Sequence, residues 1–164
     1  MESERLSFRP YTEHDLSFYT SLWRDEEVVR YIGRGQTKTA EEAKRSFLQW
    51  LLPAYKNGYG LFVILEKKTG ELIGHAGLVP QVVDHKKELE LGYWLAKDYW
   101  KQGYAREAAR YFVAHAQQTL QQNRLISLIH PYNTASIAVA KAVGMLYEKT
   151  VFFNGNVTRV YSLK

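Results

Sequence analysis

The sequence predicts a mixed α/β (α+β) fold in which helices cover a single sheet. Two patterns lead to this prediction, and both occur in the stretch 88–109, ELELGYWLAKDYWKQGYAREAA. Across residues 88–95, leucines and aromatic residues alternate with Glu88 and Glu90, which is the period of a strand. From Ala105 onward the apolar residues recur at helical spacing and form one stripe. Periodicity alone does not separate the α/β class from the α+β class.

The N-terminal part is predicted to form a strand and two helices. Residues 5–10 have the pattern of a short strand, and Thr12 with Asp15 resembles a capping box at the start of the first helix. The apolar residues of that helix are Leu16, Tyr19, Leu22 and Trp23. Residues 25–32 are predicted to form a second short helix, followed by a polar, glycine-rich loop over residues 33–37.

A third helix is predicted from the capping box that Thr39 and Glu42 can form. Its inward stripe is Ala40, Ala43, Phe47, Trp50 and Leu51. Pro53 should end or kink it.

The remaining elements alternate between strands and helices. Strands are predicted over residues 58–66, 71–79, 88–95, 125–129, 146–153 and 157–163, and helices from Ala105 and over residues 133–143. Residues 80–87 are predicted to form a loop, and Asn154-Gly155-Asn156 a hairpin turn. Because there is no repeat or linker-like segment, residues 1–164 are expected to form a single domain.

The composition is that of an ordinary soluble globular protein, with 46% hydrophobic and 24% charged residues. Because there is no cysteine, disulfides, thiolate metal sites and a cysteine nucleophile are excluded, and a cytoplasmic location is expected. The N-terminus does not resemble a signal peptide, and no membrane span is expected. The five histidines show no metal-ligand spacing, so no metal is expected.

The net charge of +5 favours an anionic ligand or simply solubility. No basic run is dense enough to indicate nucleic-acid binding. A specific anion site is predicted at Trp100-Lys101-Gln102-Gly103-Tyr104-Ala105, just before the long helix. Glycine lets the backbone approach a ligand closely, and the free amides and positive dipole end of a helix start bind phosphate.

This loop, followed by Arg106-Glu107-Ala108, resembles the pyrophosphate loop of the GNAT acetyltransferase superfamily. The closest branch is the RimJ/RimL type, which is named for enzymes that acetylate ribosomal protein N-termini. A second motif, His130-Pro131-Tyr132-Asn133-Thr134-Ala135-Ser136, resembles the His-Pro-x-Asn-x-x-Ser segment of that branch. Trp100 departs from the superfamily pattern, which has Gln or Arg at its position.

The resemblance implies a central, mostly antiparallel twisted sheet of about seven strands, flanked by about four to five helices. It implies acetyl-CoA (coenzyme A) as the cofactor. The cofactor-binding residues carried over from the family are Trp94, Leu95, Lys101, Gln102, Gly103, Tyr104, Ala105, Arg106, Asn133 and Ser136. Asn133 is also a good N-cap for the helix after it. Gly92 is expected to mark a bulge that separates the central strand from the next one.

Acetyl transfer to an amine needs a base, because a lysine-like ammonium has a pKa of about 10. A carboxylate on a covered central strand is costly in free energy unless it is paired or has a function. The resemblance assigns Glu90 as the base, with Glu88 as the weaker candidate. The general acid of many superfamily members is a tyrosine, at the position that is Ala140 here. The branch instead implies that Ser136 interacts with the cofactor sulfur.

The predicted function is direct transfer of an acetyl group from acetyl-CoA to a primary amine, without an acyl-enzyme. The acceptor is left open between a protein N-terminus and a small-molecule amine, because the fold does not choose between them. The alternative is a non-catalytic module that binds or senses acyl-CoA on the same scaffold. The oligomeric state is left open between monomer and homodimer.

Overall fold

A computed structural model describes residues 1–164 and contains one seven-stranded sheet with the strand order β1-β2-β3-β4-β5-β7-β6. Only the central pair, β4 and β5, is parallel, and the other neighbours are antiparallel. The strands are β1 (Leu6–Pro10), β2 (Gly60–Glu66), β3 (Leu72–Val83), β4 (Lys86–Leu95), β5 (Leu125–Ile129), β6 (Leu146–Phe153) and β7 (Asn156–Leu163). The predicted strand number and the mostly antiparallel pairing are confirmed.

Five helical segments accompany the sheet, which agrees with the predicted number. They are α1 (Leu16–Arg24), α2 (Glu26–Val29), a continuous segment made of α3 (Ala40–Ser46), a π turn (Phe47–Leu51) and α4 (Leu52–Ala54), and finally α5 (Tyr104–Gln118) and α6 (Thr134–Ala142). No helix is long and apolar enough to cross a membrane. The capping box at Thr39 and Glu42 is present, with both of its hydrogen bonds formed.

Two hydrophobic clusters hold the helices to the sheet. The larger one joins the sheet to α5 and α6 and includes Leu91, Phe112 and Met145, all nearly or fully buried. The smaller one joins α1 and α3 to β2 and β3 and is centred on Tyr19 and Phe47. β4 is the central strand of the sheet, and its buried residues Leu91 and Leu95 belong to the larger cluster.

The prediction of a loop over residues 80–87 is wrong. β3 continues to Val83 and β4 begins at Lys86, so only Asp84 and His85 turn the chain, both with positive φ. Two such residues form the tight turn that suits a hairpin. Pro80 is tolerated because β2 pairs with β3 only as far as Leu78, which leaves that side of β3 free as an edge.

The prediction that Trp50 faces inward is also wrong. The side chain is 48% exposed, whereas Phe47 and Leu51 are buried. The reason is the π turn between Phe47 and Leu51, which adds a residue to one helical turn. The extra residue keeps Phe47 and Leu51, which are four positions apart, on the buried side. It rotates Trp50, three positions after Phe47, toward the outside.

β4 and β5 separate almost as soon as they meet. Their pairing is confined to Glu90 opposite Ile126, and the Ser127 hydroxyl then donates to the Leu91 carbonyl at 2.8 Å. The predicted separation of the two strands is therefore present. The predicted bulge at Gly92 is absent from the β3–β4 ladder, whose register runs through Gly77 and Gly92 without a shift.

Candidate active site

A cleft of about 750 Å³ lies where β4 and β5 separate. The start of α5, from Trp100 to Arg106 without Gln102, and α6 line this cleft. Residues of the segment 23–33, around α2, and of the tip of the β6–β7 hairpin, in the segment 153–158, also line it. The cleft therefore brings together four segments that are far apart in the sequence.

The start of α5 offers several backbone amides without a protein acceptor. The first main-chain bond of the helix runs from the Glu107 amide to the Gly103 carbonyl, and no side chain caps the helix. Gly103 and Lys101 both have positive φ, so the loop curls tightly before the helix begins. The amides of residues 103–106 are left free, which is the arrangement that an anion site at a helix start requires.

Contacts from other parts of the chain hold this loop in place. The Trp100 indole donates to the Leu95 carbonyl at 2.9 Å, which ties the loop to the end of β4. The Arg5 guanidinium donates to the Gln102 carbonyl at 3.0 Å and to the Glu107 carboxylate at 2.7 Å. Sequence reasoning did not identify Arg5 or Glu107, because their pairing spans about a hundred residues and carries no local signal.

Most of the predicted cofactor residues line the cleft. They are Trp94, Leu95, Lys101, Gly103, Tyr104, Ala105, Arg106, Asn133 and Ser136. Gln102 does not line it, and its side-chain amide donates to the Asp98 carbonyl. Tyr104 is buried and its hydroxyl donates to Glu66, so only its backbone is available to a ligand. The Trp94 indole packs against Trp23, at 4.8 Å between ring centroids.

Glu90 is the one carboxylate in the middle of the cleft wall. It is half-buried, and the Gln81 side chain donates to its Oε2 at 2.8 Å. Desolvation raises the pKa of Glu90 to about 7, although the hydrogen bond from Gln81 opposes that rise. A carboxyl with this pKa can accept a proton near neutral pH and is therefore suited to act as a general base.

Glu88, the weaker candidate for the base, has a different role. Its carboxylate accepts two hydrogen bonds from Arg124, at 2.7 and 3.0 Å, and it does not line the cleft. Arg124 also binds Glu148, whose pKa falls to about 2 because of that hydrogen-bonded guanidinium. The three side chains join β4, β5 and β6 at the edge where these strands begin. Glu88 therefore belongs to an ion-pair network outside the cleft.

Ser136 and Tyr93 meet between α6 and β4. The Ser136 hydroxyl donates to the Tyr93 phenol oxygen at 3.2 Å, and the phenol donates to the Ser136 carbonyl at 2.8 Å. Ser136 thus does not bond its own helix backbone through its hydroxyl. Burial raises the pKa of Tyr93 to about 12, so the phenol keeps its proton. Asn133 caps α6 by accepting from the Ser136 amide at 3.2 Å, which leaves its side-chain amide free in the cleft.

The other candidates for a proton donor are poorly placed. Ala140 is fully buried and has no donor group. Tyr132 is 76% exposed and does not line the cleft. Tyr93 is the direct hydrogen-bond partner of Ser136.

Comparisons with known proteins agree with this geometry. The acetyltransferase (GNAT) domain matches residues 5–146. YkkB, an uncharacterized protein of Bacillus subtilis, is 33% identical over 154 residues, which cover 91% of this chain and 86% of the relative. The crystal structure of an acetyltransferase from Agrobacterium tumefaciens is 27% identical with a TM-score of 0.83, and the match covers 100% of this chain and 93% of that one.

The same fold occurs in a ribosomal-protein-S5-alanine acetyltransferase from Vibrio fischeri. The two chains are 20% identical with a TM-score of 0.75, and the match covers 99% of this chain and 94% of the other. At that identity the likeness shows the fold alone. Because the domain match extends over most of the chain, the protein belongs to the GNAT family of N-acetyltransferases, which use acetyl-CoA.

Proposed function

We propose that this enzyme transfers an acetyl group directly to a primary amine, with Glu90 as the general base. The observation that carries the proposal is a carboxyl with a pKa of about 7 in the wall of the cleft that also contains the free amides of α5. The cleft thus joins a proton acceptor to an anion site, and the reaction needs both.

The residues present fit acetyl-CoA. The amides of residues 103–106 and the exposed side chains of Lys101 and Arg106 can bind its phosphates, and Asn133 can bind the pantetheine arm with its free side-chain amide. When bound, acetyl-CoA supplies an acetyl thioester.

The proton movements involve three side chains of this chain. Glu90 accepts the proton of the acceptor ammonium, directly or through water, and Gln81 orients its carboxylate. The Ser136 hydroxyl can turn from Tyr93 toward the departing sulfur and donate a hydrogen bond to it. A serine hydroxyl is a weak acid, so this contribution is a charge-assisted hydrogen bond and not a full proton transfer.

The acceptor is either a protein N-terminus, as the resemblance to the RimJ/RimL branch implies, or a small-molecule amine. The rival function is a non-catalytic module that binds or senses acyl-CoA. Free amides at the start of α5 serve both functions, but only the catalytic one uses Glu90. Three properties stay predictions. They are the cytoplasmic location, the organisation of residues 1–164 as a single domain, and the oligomeric state, which is a monomer or a homodimer.

The test is release of free CoA from acetyl-CoA with a panel of small amines and N-terminal peptides. For the wild type we expect kcat/KM to rise with pH through about 7, as Glu90 ionises. Loss of a general base costs about 10²–10⁴-fold, so Glu90→Gln should be slower by that factor and lack the rise. The matched control is Glu88→Gln, which removes a carboxylate of the same strand and should keep the rise. Binding of acetyl-CoA without release of CoA for any acceptor would support the non-catalytic rival.

A further inference from the structure

The part of the cleft lining that is assigned neither to the cofactor nor to the base has an unusual charge pattern. We define the acceptor wall as Trp50 together with those residues of the segments 23–33 and 153–158 that line the cleft. Most of its side chains are aromatic, aliphatic or neutral polar groups. Among its residues only Glu27 and Arg30 are charged.

The carboxylate of Glu27 is already neutralised. It forms an ion pair with Lys97, which lies in the short helical turn after β4. Asp25, just before it, is occupied as the N-cap of α2, where it accepts from the Glu27 and Val28 amides. The acceptor wall therefore has no free carboxylate to offer to a cation.

Arg30 has no such partner. It is exposed at the end of α2 and forms no ion pair and no side-chain hydrogen bond. Its guanidinium lies 5.2 Å from the centroid of the Tyr31 ring, and that ring packs against His130 at 5.0 Å. The tyrosine thus supports the guanidinium beside the start of the Asn133 motif, at the mouth of the cleft.

From this pattern we infer that the acceptor carries an anionic group in addition to its amine, and that Arg30 binds that group. The inference rests on the proposed function. A guanidinium presents a planar pair of donors that matches a carboxylate or a phosphate. The only free carboxylate in the cleft is Glu90, and the reaction uses it as the base. An acceptor with a second ammonium group would meet Arg30 and no free carboxylate, so polycationic amines are poor acceptors.

The test uses acceptors that differ only at the end opposite the amine. They are ω-amino acids of four, six and eight carbons, with the alkylamines and the diamines of the same lengths. We expect the best amino acid to exceed the diamine of its length by about tenfold or more in kcat/KM, with the alkylamine between them. Because the preference is electrostatic and Arg30 is exposed, it should weaken as the ionic strength rises.

The decisive variant is Arg30→Gln, and its matched control is Arg34→Gln. Arg34 is an exposed arginine of the same segment that forms no ion pair and does not line the cleft. Arg30→Gln should bring the amino acid and the diamine to within about threefold of each other, with acetyl-CoA binding unchanged, and Arg34→Gln should preserve the wild-type ratio.

The inference would be overturned if the wild type acetylated the diamine as well as the amino acid, or if Arg30→Gln kept the wild-type ratio. Either result leaves the proposed function intact, because amines are still acetylated. If no amine in the series or in the peptide panel released CoA although acetyl-CoA bound, the proposed function itself would fail, and this inference would fail with it.

Discussion

Replacing Glu90 with glutamine should make the folded protein more stable at neutral and alkaline pH. The folded-state pKa of Glu90 is about 7, above the value of 4.5 that an exposed glutamate has. Below pH 4.5 the carboxyl is protonated in both the folded and the unfolded state, so its ionisation does not lower the free energy of unfolding there. As the pH rises from 4.5 to about 7 the unfolded state loses the proton first, and the free energy of unfolding of the wild type falls.

The size of the effect follows from the two pKa values. At about 1.4 kcal/mol for each unit of pKa, the displacement from 4.5 to about 7 corresponds to about 3 kcal/mol. Part of the Glu90 surface faces the open cleft, so this figure is an upper bound. Glutamine has nearly the same shape and carries no charge, and its carbonyl can still accept from Gln81. The variant therefore avoids the cost of a desolvated carboxylate.

Urea unfolding of the wild type and of Glu90→Gln over a range of pH measures this directly. The difference in the free energy of unfolding should be small near pH 4.5, should grow in favour of the variant, and should level off above about pH 7. The variant should at the same time lose acetyl transfer, so stability and activity change in opposite directions. A variant that is less stable than the wild type by the same amount at every pH would refute the assignment of a desolvated carboxyl to Glu90.

Three further predictions concern the anion loop, the serine–tyrosine pair and the ion pairs at the far edge of the sheet. Gly103→Ala should weaken acetyl-CoA binding in calorimetry more than Gly58→Ala, because both residues have nearly the same φ, 82° and 79°, but only Gly103 lines the cleft. Ser136→Ala should lower kcat, by an amount that corresponds to a rise of roughly 1.5–3 kcal/mol in the activation free energy, with little change in acetyl-CoA affinity. Combining it with Tyr93→Phe in a double-mutant cycle should then give a loss smaller than the sum of the two single losses. Glu148→Gln should reduce the free energy of unfolding at pH 7, and this deficit should vanish as the pH falls from 4.5 toward about 2, the folded-state pKa.

Sequence patterns predicted the structure correctly wherever that structure depends only on residues close together in the sequence. The helix was predicted from Ala105, one residue after the observed start of α5 at Tyr104, because free amides and a glycine with positive φ are properties of one short segment. The same holds for the capping box at Thr39 and for the Asn133 cap of α6. The mistakes at Trp50 and at residues 80–87 arose where the chain departs from regular periodicity, through a π turn and through a proline on a free strand edge.

The sequence by itself thus determined the family and the seven strands, and it named the candidate cofactor loop and the two candidate carboxylates for the base. Only the tertiary structure gives those carboxylates different surroundings. Glu88 and Glu90 occupy equivalent alternating positions on the same strand. Glu88 accepts from the guanidinium of Arg124, 36 residues away in the sequence, whereas Glu90 lines the cleft beside Gln81. Likewise Ser136 meets Tyr93 across 43 residues. A pKa depends on burial and on neighbouring charges in space, and folding brings these together without leaving a pattern in the order of the residues.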